Sequence, residues 1–324
     1  MTNAVSIAQY GTNNPSWRNR IINGDMRIDQ RNAGASVTPT AAIYTLDRWL
    51  TNNTQASKFS VQQNAGSVTP PAGFTSYLGV TSLSAYSVTS TDFFSIIQAI
   101  EGFNTADFGW GSANAKTVTL SFWVRSSLTG TFGGSFNNSD FSRSYPFSYT
   151  ISAANTWEQK TVTVVGDTTG TWLTNNGKGL QIYFNLGAGS NYTGTAGAWA
   201  SAVYLAPTGA TSVVGTNGAT FYITGVQLEA GSVATPFERR DYGRELIMCQ
   251  RYYEPQQTRN VTANTGATVY CQWQFLVQKR AGPTIGVGAG SAWTAVDTAG
   301  TSGLLVYITS GNAIIMGCTA SSEL

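Results

Sequence analysis

Apolar and polar residues alternate with a period of two in two runs of the chain. Val118, Leu120, Phe122 and Val124 interleave with Thr119, Ser121, Trp123 and Arg125, the pattern of a strand with one face in a core and the other turned outward. Residues 179–186 repeat it, with Leu180, Ile182, Phe184 and Leu186 on one side and Gln181, Tyr183 and Asn185 on the other. Further β-branched and aromatic runs fall at residues 21–28, 59–61, 77–80, 93–100, 161–165 and 220–228. About eight strands joined by long polar connections predict an all-β fold, a two-sheet jelly-roll β-sandwich. At Tyr242 the period changes. Tyr242, Leu246, Cys249 and Tyr253 recur at helical spacing, one apolar stripe on a helix too short to stand alone in water. Asp241 can cap it, although Thr235-Pro236-Phe237-Glu238 also has capping-box spacing. Residues 254–324 read as β again, with strands at 267–277, 284–287, 304–309 and 313–320. The organisation predicted is an N-terminal arm (1–20), a sandwich (21–238) and a short helix plus small C-terminal β domain (239–324).

Composition narrows the function. With 42% hydrophobic and 12% aromatic residues the chain can support a packed core, and 18 Lys+Arg against 16 Asp+Glu argue against a nucleic-acid partner or a polybasic membrane anchor. No apolar run approaches the length of a membrane span, and the first twenty residues lack the pattern of a secretory signal, so neither membrane insertion nor export by that route is expected. Cys249, Cys271 and Cys318 are an odd number at no metal-ligand spacing and read as free, mostly buried thiols. Histidine is absent, which removes Ser-His-Asp and Cys-His nucleophile pairs and every His-containing metal site.

Charge concentrates at one place. Half of the residues from Glu238 to Arg251 are charged in a chain where a tenth are, marking the joint between sandwich and helix. The stretch GVQLEAGSVATPFERRDYGRELIMCQRYYE around it resembles a junction found in many bacteriophage virion proteins, commonly labelled tail fibre or minor structural proteins and frequent in phages of cyanobacteria. RNRIINGDMRIDQR, YTLDRW, QAIEGFNTADFGWG, VTLSFWVRSSLTGTFGGS, NTWEQKTVTV and KRAGPTI extend the resemblance over nearly the whole chain. The order of motifs also resembles carbohydrate-binding jelly-roll modules. The resemblance implies a virion protein assembled in the host cytoplasm: a tail fibre or fibre-like appendage that touches host surface glycan, or alternatively a capsid fibre, cement or neck component. It further implies a homotrimer, docked on other virion proteins through the arm. On that expectation Tyr242, Leu246, Cys249 and Tyr253 face sister copies, with Arg239 and Arg240 fixing subunit register.

Among residues that could carry chemistry, an aromatic-plus-amide face is what glycan binding requires, because rings stack on sugar C–H surfaces and planar amides pair with hydroxyls. Trp123, Arg125, Tyr183 and Asn185, joined by Gln98, are the candidates, with Trp110 and Trp199 as loop aromatics that either contact ligand or anchor their loops. Glycoside cleavage needs two suitably placed carboxyl groups. Asp25 and Asp29 share a face of the first run with Arg27 between them, an arrangement for ion pairing, and no enzyme activity is expected. No cofactor is expected either. The jelly-roll resemblance would place calcium ligands at Asp25 and Glu229, but Thr224-Gly225 stand where an acidic residue is usual.

Overall fold

The computed structural model describes residues 17–261, 269–287, 295–308 and 314–324. In chain order the strands of the body are β1 (Ile43–Leu46), β2 (Trp49–Asn53), β3 (Phe59–Gln63), β4 (Leu78–Ser82), β5 (Phe93–Glu101), β6 (Val118–Ser126), β7 (Gly130–Asn137), β8 (Ser144–Ile151), β9 (Glu158–Val164), β10 (Lys178–Ala188), the short β11 (Thr193–Gly194) and β12 (Ala206–Pro207), and β13 (Thr220–Ala230). Antiparallel pairing gathers them into a six-stranded sheet, β1-β2-β5-β10-β7-β8, and a five-stranded sheet, β3-β4-β13-β6-β9. They face each other as a jelly-roll sandwich. The alternating residues explain why. Val118, Leu120, Phe122 and Val124 on β6 and Leu180, Ile182, Phe184 and Leu186 on β10 are all fully buried, and Phe122 meets Phe184 edge-on at 5.2 Å between the two sheets.

The expected opening strand at 21–28 does not form. Its backbone turns, with positive φ at Asn23 and Met26, and Gly24 lies where a Cβ would stand 2.2 Å from the Val226 carbonyl oxygen. Amide side chains satisfy this segment in place of a ladder. Asn23 donates to the carbonyls of Ile28 at 2.8 Å and Asp47 at 3.0 Å, and Gln98 both accepts from the Ile22 N–H and donates to its carbonyl, each at 2.9 Å. Residues 1–16 of the expected arm lie outside the described residues. Residues 19–20 are pinned to β13 by Arg20 N–H on the Leu228 carbonyl at 2.9 Å and by the Asn19 amide.

Helix α1 (Tyr242–Gln250) follows the sandwich, and Asp241 caps it by accepting from the Arg244 N–H at 2.8 Å. The chain then forms β14 (Tyr253–Val261), β15 (Val269–Gln274), β16 (Thr284–Val287), β17 (Ala295–Ala299), β18 (Gly303–Ile308) and β19 (Ile314–Ser321), in two three-stranded antiparallel sheets, β14-β19-β16 and β15-β18-β17. The expected strands at 267–277 and 313–320 fall partly outside the described residues. Among described residues no helix is long and apolar enough to cross a membrane. Cys249 is a free, buried thiol; the side chains of Cys271 and Cys318 lie outside those described.

The part of the α1 stripe made by Leu246 and Cys249 is covered within the chain, which corrects the expectation that sister copies cover those two residues. Cys249 is fully buried against Ile22, Ile28 and Tyr252, with Leu246 packed on the same cluster. Arg240 donates to the carbonyls of Ile21 and Asn19 and pairs with Glu238 and Glu245. Arg239 sits over Phe74 at 4.7 Å and near Phe237 at 5.7 Å. Tyr253 opens β14, its ring 3.7 Å from the Arg31 guanidinium. These residues join parts of one chain. Tyr242 and Ile247, each 55% exposed, are the large apolar side chains that α1 leaves outward.

Candidate functional site

At one end of the sandwich, β5 runs into two 3₁₀ turns, Gly102–Asn104 and Ala106–Phe108, and the loops before β6, before β10 and after β11 converge on them. Each loop delivers a tryptophan. Trp110 and Trp172 lie 4.8 Å apart, Trp110 and Trp199 5.3 Å, and Trp172 and Trp199 5.5 Å, all close to perpendicular, the edge-to-face geometry that ring quadrupoles favour. Phe108 leans on Trp110 at 5.9 Å, and Tyr145 on Trp199 at 5.1 Å.

The cluster is fixed by its polar atoms. The indole N–H groups of Trp110, Trp172 and Trp199 donate to the carbonyls of Lys116 at 2.8 Å, Thr169 at 3.1 Å and Val165 at 2.7 Å. Arg143 braces the outer side through a two-point bond to Asp167 at 2.6 and 2.9 Å and lies 6.0 Å from the Trp199 ring. The loops approach closely only because Gly111, at positive φ, has no Cβ to meet the Gly170 carbonyl oxygen 2.7 Å away. Between them opens a cleft of about 230 Å³ whose walls include Phe108, Trp110 and Trp172, with the hydroxyls of Thr105, Ser112 and Thr174 at its lining. No lining residue is ionisable. Such a site can stack an apolar ring face and exchange hydrogen bonds.

The predicted single face is divided by the fold. Trp123 and Arg125 lie on the outer side of the five-stranded sheet, where the Arg125 guanidinium is 5.5 Å from the Tyr222 ring and its Nε donates to the Asn155 carbonyl at 2.9 Å. Tyr183 and Asn185 lie on the outer side of the six-stranded sheet, at the opposite surface of the sandwich. They are 3% and 2% exposed, and Leu205, Tyr192 and Phe141 cover Tyr183. Burial pushes the Tyr183 phenol well above its usual range. Gln98 faces neither outer side, since it pairs with Ile182 in register and points inward to Ile22. These five residues therefore share no surface, because alternation sorts faces within a strand but does not say which sheet the strand joins. Trp110 and Trp199 are brought together. Trp110 is 9% exposed, a loop anchor that also walls the cleft. Trp172 and Phe108 were missed: Trp110 and Trp199 stand among Gly and Ala, whereas Trp172 stands among Gly and Thr.

The candidate carboxylates are engaged by the chain itself. Asp25 pairs with Arg27 at 2.5 Å, and Asp29 accepts from the N–H groups of Asn32 and Gly34 at 2.9 and 2.7 Å. Glu229 is held by Arg18 and by the Thr235 N–H and hydroxyl. Among described residues no group of three or more potential metal ligands stands together, and Asp25 and Glu229 are bound to different partners rather than to a shared centre.

No protein-family model matches the chain, and no curated protein matches it. Solved structures do show likeness. A putative sugar binding protein from Bacteroides thetaiotaomicron is 11% identical over 66% of this chain and all of its own, with a TM-score of 0.38. The enzymatically active domain of tailspike protein 4 of bacteriophage CBA120 is 12% identical over 66% of this chain, with a TM-score of 0.36. The chain spans 22% of that tailspike's length. A carbohydrate-binding module in complex with β-1,4-galactotriose is 10% identical over 66% of this chain and 99% of its own, with a TM-score of 0.32.

Proposed function

We propose that the protein is a non-enzymatic virion component, a tail fibre or fibre-like appendage, that contacts host surface glycan through the tryptophan cleft. The observation that carries this reading is the cleft itself: indole and phenyl walls with hydroxyls beside them and no ionisable group. Sugars are bound by that combination, and acid–base catalysis requires titratable groups it does not contain. The phage setting rests on the sequence resemblance, which also supplies the remaining parts of the proposal: assembly in the host cytoplasm, docking through the N-terminal arm, and a homotrimer. With Leu246 and Cys249 covered, sister copies would meet on the exposed side of α1, at Tyr242 and Ile247.

Glycan-array binding with the wild-type chain and Trp172→Ala tests the cleft. Loss of roughly tenfold in affinity, about 1–2 kcal/mol, is expected for one stacking ring; equal binding by the two proteins would remove the cleft from the function. Release of reducing ends from host polysaccharide would show an enzyme instead. A purely structural role, as a capsid fibre, cement or neck piece, is the second reading. It is favoured by the three indole N–H groups, which are all bonded to the chain's own carbonyls, as an end-cap of the sandwich would need. Normal particles carrying Trp172→Ala that still adsorb to host cells would favour it.

A further inference from the structure

We infer that the β15-β18-β17 sheet carries a second binding face, separate from the tryptophan cleft, that takes a neutral oligosaccharide. Along β15, Trp273 is 1% exposed and its cross-strand neighbour Leu304 on β18 is 3% exposed, so this side of the sheet turns into the protein. The alternate residues Tyr270, Gln272 and Gln274 face the other way. Tyr270 is 59% exposed, and both glutamines are exposed. At about 3.3 Å per residue the row spans roughly 13 Å, long enough for more than one sugar ring.

The floor beside this row is open where β18 has no side chain. Gly303 stands opposite Gln274 and Leu305 opposite Gln272. The resulting cavity of about 770 Å³ is lined by Gln272, Gln274, Phe275, Thr301, Ser302 and Leu305 together with the backbone of the turn. Among the described residues its lining contains no Asp, Glu, Lys or Arg. Amide and hydroxyl groups beside an aromatic ring, without charge, suit a neutral polyol; an anionic glycan, a phosphate or a basic peptide would find no counter-charge in the lining.

The cradle is held in shape before any ligand arrives. The Phe275 N–H donates to the Ser302 carbonyl at 3.0 Å, the Lys279 N–H to the Thr301 carbonyl at 2.8 Å, and the Gly300 N–H to the Gly303 carbonyl at 2.8 Å. The Lys279 ammonium lies 5.1 Å from the Phe275 ring and is itself anchored on Glu254 at 2.6 Å. A preformed site loses little ordering entropy on binding. Two sites on one chain would let weak contacts with a repeating polysaccharide reinforce each other through effective concentration.

The test uses the full chain carrying Trp172→Ala, so that the first cleft is weakened, with and without Gln272→Ala and Gln274→Ala. Maltohexaose, cellohexaose, xylohexaose and hexagalacturonate are titrated by calorimetry, with far-UV circular dichroism as the folding control. The expected result is that Trp172→Ala still binds at least one neutral hexasaccharide, and that the two glutamine substitutions weaken this at least tenfold without changing the spectrum. Binding that the glutamine substitutions leave unchanged would overturn the inference, as would binding confined to hexagalacturonate. Wild-type binding that vanishes in Trp172→Ala would overturn it while leaving the cleft reading intact. A fall in the sedimenting mass of the unliganded protein on replacing the glutamines would assign the face to contacts between copies, and would also overturn it.

Discussion

Asp47 shows what the interior does to a single side chain. Its carboxyl is fully buried, and burial pushes it up to about 6, against the pull of two hydrogen bonds from Gln30 and of the Arg31 charge. A carboxyl whose folded value lies above its unfolded value near 3.8 binds its proton more tightly in the fold. Stability from this residue is therefore present below about pH 4 and is lost as pH rises through about 6. A shift of that size corresponds to about 3 kcal/mol. Asp47→Asn keeps an acceptor for the Gln30 N–H and removes the charge. Urea unfolding at pH 4.5 and pH 7.5 is expected to show the variant gaining on the wild type at the higher pH; a constant difference would mean that Asp47 titrates normally. Asp92 has the opposite sign. Burial alone would raise it, but the Thr89 hydroxyl and N–H, the Tyr86 hydroxyl and Gln55 hold its carboxylate below the usual range, so its contribution is lost on acidification. Neither residue stood out in the sequence, because burial of an isolated carboxyl depends on strands far from it. Trp110 and Trp199 did stand out, since a tryptophan among small residues has few structural uses besides anchoring a loop or meeting a ligand.

Elements were legible where one physical signal acted alone. The inward residues of β6 and β10 are core, and Asp241 caps α1, because strand alternation and an N-cap carboxylate are local properties. Strands β1, β2, β7 and β8 were not anticipated. β7 reads Gly-Thr-Phe-Gly-Gly-Ser-Phe-Asn, a turn-like sequence, yet Gly133 and Gly134 are required there: a Cβ would stand 2.1 Å from the Phe147 carbonyl oxygen and 1.7 Å from that of Tyr183. β8 carries Pro146 on the edge of its sheet, where proline is tolerated. The direction of the α1 stripe was also hidden, since an apolar stripe states that it must be covered but not by what. Two substitutions separate its sides. Cys249→Ser places a hydroxyl in the apolar cluster of Ile22, Ile28 and Tyr252 and is expected to cost about 1–3 kcal/mol in thermal or urea unfolding. Ile247→Asp, on the exposed side, is expected to leave that stability nearly unchanged and to lower the sedimenting mass if copies associate there. An unchanged mass would remove α1 from any assembly.

At the scale of the whole molecule, the short C-terminal strands bury too little to make a core by themselves. The fold supplies a partner. Arg48, fully buried after β1, pairs with Glu323 and donates to the Ala99 carbonyl, its guanidinium 3.6 Å from the Tyr252 ring. Arg31 also reaches Glu323, at 2.8 Å. Arg251 forks onto Glu101 at 2.6 and 3.0 Å, and Arg280 donates to the Asn176 carbonyl at 2.7 Å. These pairs join residues up to 292 positions apart, and no local pattern announces them. Buried ion pairs add little net stability over apolar packing, but leaving one member unpaired in the interior is costly, about 3–5 kcal/mol. Glu323→Gln retains shape and removes the charge facing Arg48. If the ion pairs make the sandwich and the C-terminal strands unfold as one unit, calorimetry of the wild type gives one transition, and Glu323→Gln lowers its midpoint and separates a second transition belonging to the C-terminal strands. Two transitions already present in the wild type would mean that the halves are only tethered, and that the tryptophan cleft and the β15-β18-β17 face move independently when they meet a surface.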